Sequence, residues 1–270
     1  MGVEIRPQLD TIDIPIGYTV RLADMEEYIR VVQALWRGET IETEIEGRQR
    51  LIRLLNPELG LINLRDPMPL YIAASGPKAR ALTAKLDGGW IDGAPSVERS
   101  VAALGAMRAI WTQAGRSADG LNAVAWAGGA VLEPGEKADS PRVIAQAGPR
   151  AATLLHRAAD AALGGYPAAP LPPEFADAVA GYVEMARLYG PQGAHYLENH
   201  RGHLMFVRDD ERKFLSADLI KAATWTATAP ELIQRIEALE AAGFNQIVFS
   251  ILPGQEHAVE DWGRIRRAFK

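Results

Sequence analysis

From Leu70 onward, short apolar runs alternate with longer amphipathic stretches, and this order constrains the fold more than any other feature of the chain. Leu70–Ala74, Gly89–Asp92, Leu121–Leu132 and Gln246–Leu252 are strand-like. Pro77–Leu86, Val97–Ala114, Pro141–Leu163, Pro230–Ala242 and Glu256–Phe269 carry helical patterns. A strand, a helix and another strand in succession imply parallel pairing with helical crossovers, so the expected class is α/β. Upstream, Met25, Tyr28, Ile29, Val32, Leu35 and Trp36 recur at three- and four-residue spacing. They predict a helix over Leu22–Trp36 that stops at Gly38. Thr40–Leu55 reads as short extended pieces around Gly47.

Between Leu163 and Pro230 the alternation loosens into a breaker-rich loop, a helix over Glu174–Tyr189 and a polar stretch, Pro191–Lys213. No interdomain linker stands out. The expectation is therefore one domain over residues 1–270, with residues 164–229 as an insertion that builds a substrate pocket.

Composition narrows the functions. Lys plus Arg is 29 and Asp plus Glu is 34, a formal net charge of −5. That balance argues against a nucleic-acid-binding surface. The absence of cysteine excludes disulfides, thiolate metal sites and thiol nucleophiles. There is no apolar signal core near Met1 and no apolar run of membrane-spanning length, so the expectation is a cytoplasmic protein without membrane association.

The most informative local feature is Tyr71-Ile72-Ala73-Ala74-Ser75-Gly76-Pro77-Lys78, where a strand runs into a helix. Small residues admit a ligand close to the backbone, and the free N–H groups and dipole of a helix start favour an anion. Ser75, Gly76, Lys78 and Ala79 would be the backbone donors, with the Ser75 hydroxyl and the Lys78 ammonium in addition. Neither a P-loop nor a dinucleotide fingerprint is present. By residue chemistry alone the turn is either a phosphate cradle or an ordinary β-to-α turn capped by Ser75.

Three of the five histidines fall in Ala194–His203. His195, His200 and His203 are candidates for proton transfer or substrate binding, and Arg201 for clamping an anionic substrate group. A polar loop and a metal site on His200 and His203 near Glu198 are the other readings. Gly202 disfavours the helix the latter needs, and no metal is expected. Asp92 is read as the cap of the following helix and Trp126 as a core residue. Gly128-Gly129 is read as a bulge or a close approach, and Thr228-Ala229-Pro230-Glu231 as a capped helix start.

Pro69–Lys78, followed by Leu86-Asp87-Gly88-Gly89-Trp90-Ile91, resembles the luciferase-like flavin-dependent oxidoreductases, most of all the branch that uses the deazaflavin coenzyme F-420 and includes methylenetetrahydromethanopterin reductases. Met25-Glu26-Glu27-Tyr28-Ile29, Leu35–Thr40 and Ala241–Ile247 resemble the same family. The resemblance implies a (β/α)8 barrel in which Leu70–Ala74 corresponds to strand five, Gly89–Asp92 to six, Leu121–Leu132 to seven and Gln246–Leu252 to eight. By that count only the C-terminal half of a barrel is present, and the chain is read as truncated at its N-terminus.

The resemblance further implies that Ala73, Ala74, Ser75, Gly76, Pro77 and Lys78 hold the cofactor phosphate and its linker. It implies hydride transfer between coenzyme F-420 and a small organic substrate, with FMN as the alternative cofactor, and a homodimer. The rival expectations are an FMN-dependent monooxygenase and a non-catalytic half-barrel that binds a phosphorylated cofactor or a partner chain.

Overall fold

A computed structural model describes residues 22–66, 68–164, 170–191 and 193–269. The described residues divide into two compact units, one within residues 22–91 and 105–123, the other within residues 92–104 and 124–269.

In the first unit, helix α1 (Leu22–Trp36) forms where the apolar spacing places it, and Gly38 takes φ +74° just beyond its end. The extended pieces around Gly47 are an antiparallel hairpin, β1 (Ile41–Ile45) and β2 (Arg48–Ile52). Glu46 and Gly47 turn the chain at φ 53° and 72°, the left-handed pair that a two-residue hairpin loop needs. Strand β3 (Tyr71–Ala73) feeds helix α2 (Pro77–Lys85), and β4 (Gly89–Asp92) returns parallel to β3, with Ile72 opposite Trp90. Asp87, at φ 57°, makes the tight turn out of α2. At Gly89 an added Cβ would stand 2.4 Å from the Tyr71 ring, so only glycine lets the ring lie there. Arg116 donates to the Ala84 carbonyl and the Asp87 carboxylate and fixes this corner.

Helix α3 (Val97–Gln113) contributes residues to both units. Asp92 does not cap it, a correction to the sequence reading. Its carboxylate accepts instead from the Ala94 N–H at 3.1 Å, and Ser96 Oγ accepts from Arg99 N at the helix start. The capping role falls to Ser96 because four residues separate the end of the strand from the start of α3, out of reach of Asp92.

In the second unit, the run read as one strand over Leu121–Leu132 is two, β5 (Ala123–Gly128) and β6 (Val131–Leu132). The break has a backbone cause. A Cβ at Gly129 would lie 2.6 Å from the Trp225 carbonyl carbon, and Trp225 N donates to Gly128 O at 3.0 Å. The chain therefore leaves one pairing and enters another: β5 pairs in parallel with β8 (Gln246–Ser250), and β6 with β7 (Ala227–Thr228).

Helix α4 (Pro141–Gly164) buries a small-residue stripe with Val143, Ala147, Ala151, Leu155 and Ala159. It packs against α5 (Ala176–Ala186), the single turn α6 (Tyr196–Asn199) and α7 (Ala217–Ala223), around Tyr182, Leu219 and Ile220. Helix α8 (Ala229–Ala242) opens with the expected capping box between Thr228 and Glu231 and closes at Gly243, φ 102°. Helix α9 (Ala258–Arg267) ends the unit, with Trp262 stacked 3.6 Å from Phe249 of β8. Among the described residues no helix is long and apolar enough to cross a membrane.

Candidate functional site

The strand-to-helix turn after β3 has the form the sequence predicts, with one difference. The cap of α2 is Gly76, in extended backbone, with Pro77 at the first helical position, and no side chain caps it. The Ser75 cap of the bland reading is therefore absent. Ala74 is buried, whereas Ala73, Ser75, Gly76, Pro77 and Lys78 are exposed.

What orients the turn is the carbonyl of Ala74. It accepts from the buried indole Nε1 of Trp90 at 2.9 Å and from Arg80 Nε at 3.4 Å, and the Arg80 guanidinium lies 5.5 Å from the centre of the Trp90 ring. With that carbonyl turned inward, the small residues that follow lie on the surface at the positive end of α2. A Cβ built on Gly76 meets nothing within 4 Å, so the space over the helix start is open. The two motifs that carry the family resemblance, 69–78 and 86–91, are thus joined by a physical bond, Trp90 to Ala74.

A second feature lies at the C-terminal ends of β5 and β8, the end where parallel α/β proteins place ligands. There Trp126, Gly128, Gly129, Gln146, Arg150, Leu204, Ser250 and Leu252 line a cavity of about 170 Å³. Trp126 is 43% exposed, which corrects its assignment to the core. Its N–H donates to Ser250 Oγ at 2.6 Å and its ring lies 5.6 Å from the Arg150 guanidinium, so the amphipathic indole serves polar partners at the strand end. Arg150 Nη2 donates to Gly93 O at 3.3 Å. Burial, and then repulsion from Arg157, hold its pKa below the usual arginine value.

Gln146 places its Nε2 2.9 Å from His257 Nε2, and its buried Oε1 has no hydrogen-bond partner among the described residues. Either orientation of the amide leaves one end for a ligand. A larger, apolar groove of about 540 Å³ runs along α8, β8 and α9 past Phe244, Phe249 and Trp262.

His200 and His203 lie in the turns after α6 and join a largely buried network around α4. His200 Nε2 lies 2.8 Å from Asp160 Oδ2, and His203 Nδ1 lies 3.0 Å from His200 Nδ1. His156 of α4 joins them, with Nε2 3.0 Å from Glu211 Oε2 and Nδ1 3.3 Å from His203 Nδ1. Burial lowers the pKa of His156, against the opposing pull of Glu211. Asn199 donates to Asp160, Tyr182 donates to Asn199 and Glu211, and Arg208 pairs with Glu211 at 3.1 Å. Burial, then the Glu211 charge, raise the Tyr182 pKa well above the ordinary phenol.

His195 sits half-buried at the start of α6, outside the three-ring group, and burial lowers its pKa. Arg201 stands on the surface with its Nε 2.6 Å from the Glu198 carboxylate, its immediate partner.

The sequence marks the turn, His200 and His203, but not His156, Asp160, Gln146 or Arg150, all on α4. One signal for them was present. His156 and Asp160 are polar residues four apart on the face that otherwise carries Ala152, Leu155 and Ala159, and Gln146 and Arg150 repeat the same spacing.

In comparison with known families, residues 15–246 match the model of the family described as luciferase-like monooxygenase. No curated protein matches the chain. Among solved structures, the chain is similar to the coenzyme F-420-dependent tetrahydromethanopterin reductase from Methanopyrus kandleri, at 19% identity and a TM-score of 0.52 over 92% of this chain and 63% of that one. It is also similar to an F-420-dependent secondary alcohol dehydrogenase in complex with an F-420–acetone adduct, at 15% identity and a TM-score of 0.50 over 92% and 62% of the two chains. A riboflavin lyase with modified FMN and riboflavin gives 14% identity and a TM-score of 0.52 over 95% and 60%. The likeness is one of fold, the α/β (β/α)8-barrel type. The chain spans about three-fifths of the length of these structures.

Proposed function

This chain belongs to the luciferase-like monooxygenase family, and from that premise we propose that it is an oxidoreductase moving a hydride between coenzyme F-420 and a small organic substrate, with FMN as the alternative cofactor. The observation that carries the reading is the turn Ala74–Lys78. Trp90 and Arg80 hold the Ala74 carbonyl inward, and the open helix start that follows suits a phosphate. Ala73, Ala74, Ser75, Gly76, Pro77 and Lys78 would hold the cofactor phosphate and linker, with Lys78 supplying charge.

The bound deazaflavin or flavin supplies the hydride chemistry, and the protein supplies binding and orientation. Two of the similar structures are described as F-420-dependent, and a third contains modified FMN, which keeps both cofactors in the proposal. The strand-end cavity supports an anion-recognising role for Arg150, beside the amide of Gln146 and the indole of Trp126. Leu204 lines the same cavity, which supports the reading of residues 164–229 as a pocket-building segment.

The test is a titration of the purified chain with coenzyme F-420. Lys78→Ala is expected to weaken binding about tenfold, the loss of one charge-assisted contact. Unchanged affinity in Lys78→Ala, in a protein with wild-type circular dichroism, would remove the turn from the cofactor site.

A further inference from the structure

We propose that His156, His200 and His203 form a binding site for a divalent transition-metal ion of the zinc class, which clamps the turn after α6 to α4. Their nitrogens lie within 4.8 Å of one another. The contacts between them run through Nδ1: His203 Nδ1 stands 3.3 Å from that of His156 and 3.0 Å from that of His200. A tetrahedral ion with nitrogen ligands at about 2.0–2.1 Å holds them about 3.3–3.4 Å apart, so the His156–His203 edge already fits and the His200–His203 edge needs only a small opening.

The opposite ring nitrogens set the tautomers. His156 Nε2 faces the Glu211 carboxylate at 3.0 Å and His200 Nε2 faces Asp160 at 2.8 Å, so each Nε2 carries the proton and donates it. The electron pairs of both Nδ1 atoms are then turned toward His203. Carboxylates behind histidines in this way are the usual outer shell of a zinc-class site. Those carboxylates are held in turn, Asp160 by Asn199 and Glu211 by Tyr182 and Arg208.

The backbone is shaped to deliver the third ligand. Gly202 has φ 82° and Leu204, not a glycine, has φ 59°, so His203 sits between two left-handed residues. Imidazole-only ligation favours zinc, copper or nickel over magnesium or calcium, which prefer oxygen. A solvent molecule would complete the shell beside half-buried His203. The ion would be structural: Leu204, one residue on, lines the strand-end cavity, so clamping His203 fixes that wall.

The test is titration of the metal-stripped, purified chain with cobalt(II) chloride, followed by its visible spectrum and by thermal melting. One equivalent should bind with the intense bands of four-coordinate cobalt and raise the melting temperature, and zinc chloride should displace it. Asp160→Asn should weaken binding about tenfold to a hundredfold by loosening His200. His203→Gln, at the half-buried position, should abolish the bands, whereas His195→Ala should keep them. Absence of binding to the folded wild-type chain would overturn the proposal and leave a hydrogen-bonded histidine cluster. Bands that persist in His203→Gln would overturn the assignment of ligands.

Discussion

Single residues decide both the break in the second unit's strands and the orientation of the turn after β3. Gly129 is required because a Cβ there would enter the backbone of Trp225. Neither backbone can give way without breaking the Trp225 N to Gly128 O bond. Gly129→Ala should cost about 2–3 kcal/mol, read as a lowered urea midpoint with an unchanged slope. Trp90 is the buried donor that holds the Ala74 carbonyl. Trp90→Phe removes the N–H and also shrinks the fully buried indole to a single ring, so the loss should be about 2–3 kcal/mol of stability, together with weaker cofactor binding. Weaker binding without loss of stability, or the converse, would separate the two roles assigned to that bond. Arg150 belongs to the same scale: on the proposal that this guanidinium recognises an anion, adding phosphate should stabilise the wild-type chain but not Arg150→Met.

At the scale of elements, the start of α4 is tied down by charge. Arg142 reaches Glu136 (Nε to Oε1, 3.0 Å), the Val131 carbonyl of β6 at 2.8 Å and Asp261 of α9 at 3.2 Å. Chiefly through Arg142, and also through the Glu133 N–H and the Ser140 hydroxyl, the Glu136 carboxyl is lowered from 4.5 to about 2. A carboxylate whose pKa falls on folding stabilises the protein above its unfolded value. That stability is therefore complete above pH 4.5 and lost as pH falls toward 2. The contribution is on the order of 2 kcal/mol, and Glu136→Gln should flatten the dependence of stability on pH in that window.

Elements are also where the sequence is most legible. Helix α1 forms over the residues its apolar stripe marks, and α8 over those its capping box and glycine mark, because both signals are local. The run Leu121–Leu132 misleads because its apolar character is continuous. What divides it is Trp225, nearly a hundred residues away and invisible to any local pattern. Asp92 misleads because a capping residue is judged by type, whereas its distance from the helix start depends on the loop. His156 lay hidden inside a helix, since its partners His203 and Glu211 come from a later segment whose path the sequence does not reveal. The turn at Ala74–Lys78 was legible by contrast because strand, glycine, proline and helix lie in one unbroken stretch. Its inward carbonyl was not, since it depends on Trp90 across the strand pair.

At the scale of the whole molecule, family membership and the exposed turn together carry the proposed function. The first unit contains the turn and the Trp90 bond that orients it. The second contains the strand-end cavity and the histidine network. Coenzyme F-420 is the proposed cofactor and FMN the alternative. The most direct measurement is therefore a pair of fluorescence titrations of the purified wild-type chain, one with coenzyme F-420 and one with FMN. Coenzyme F-420 should bind more tightly; equal affinity for the two, or binding of neither, would contradict the proposed function.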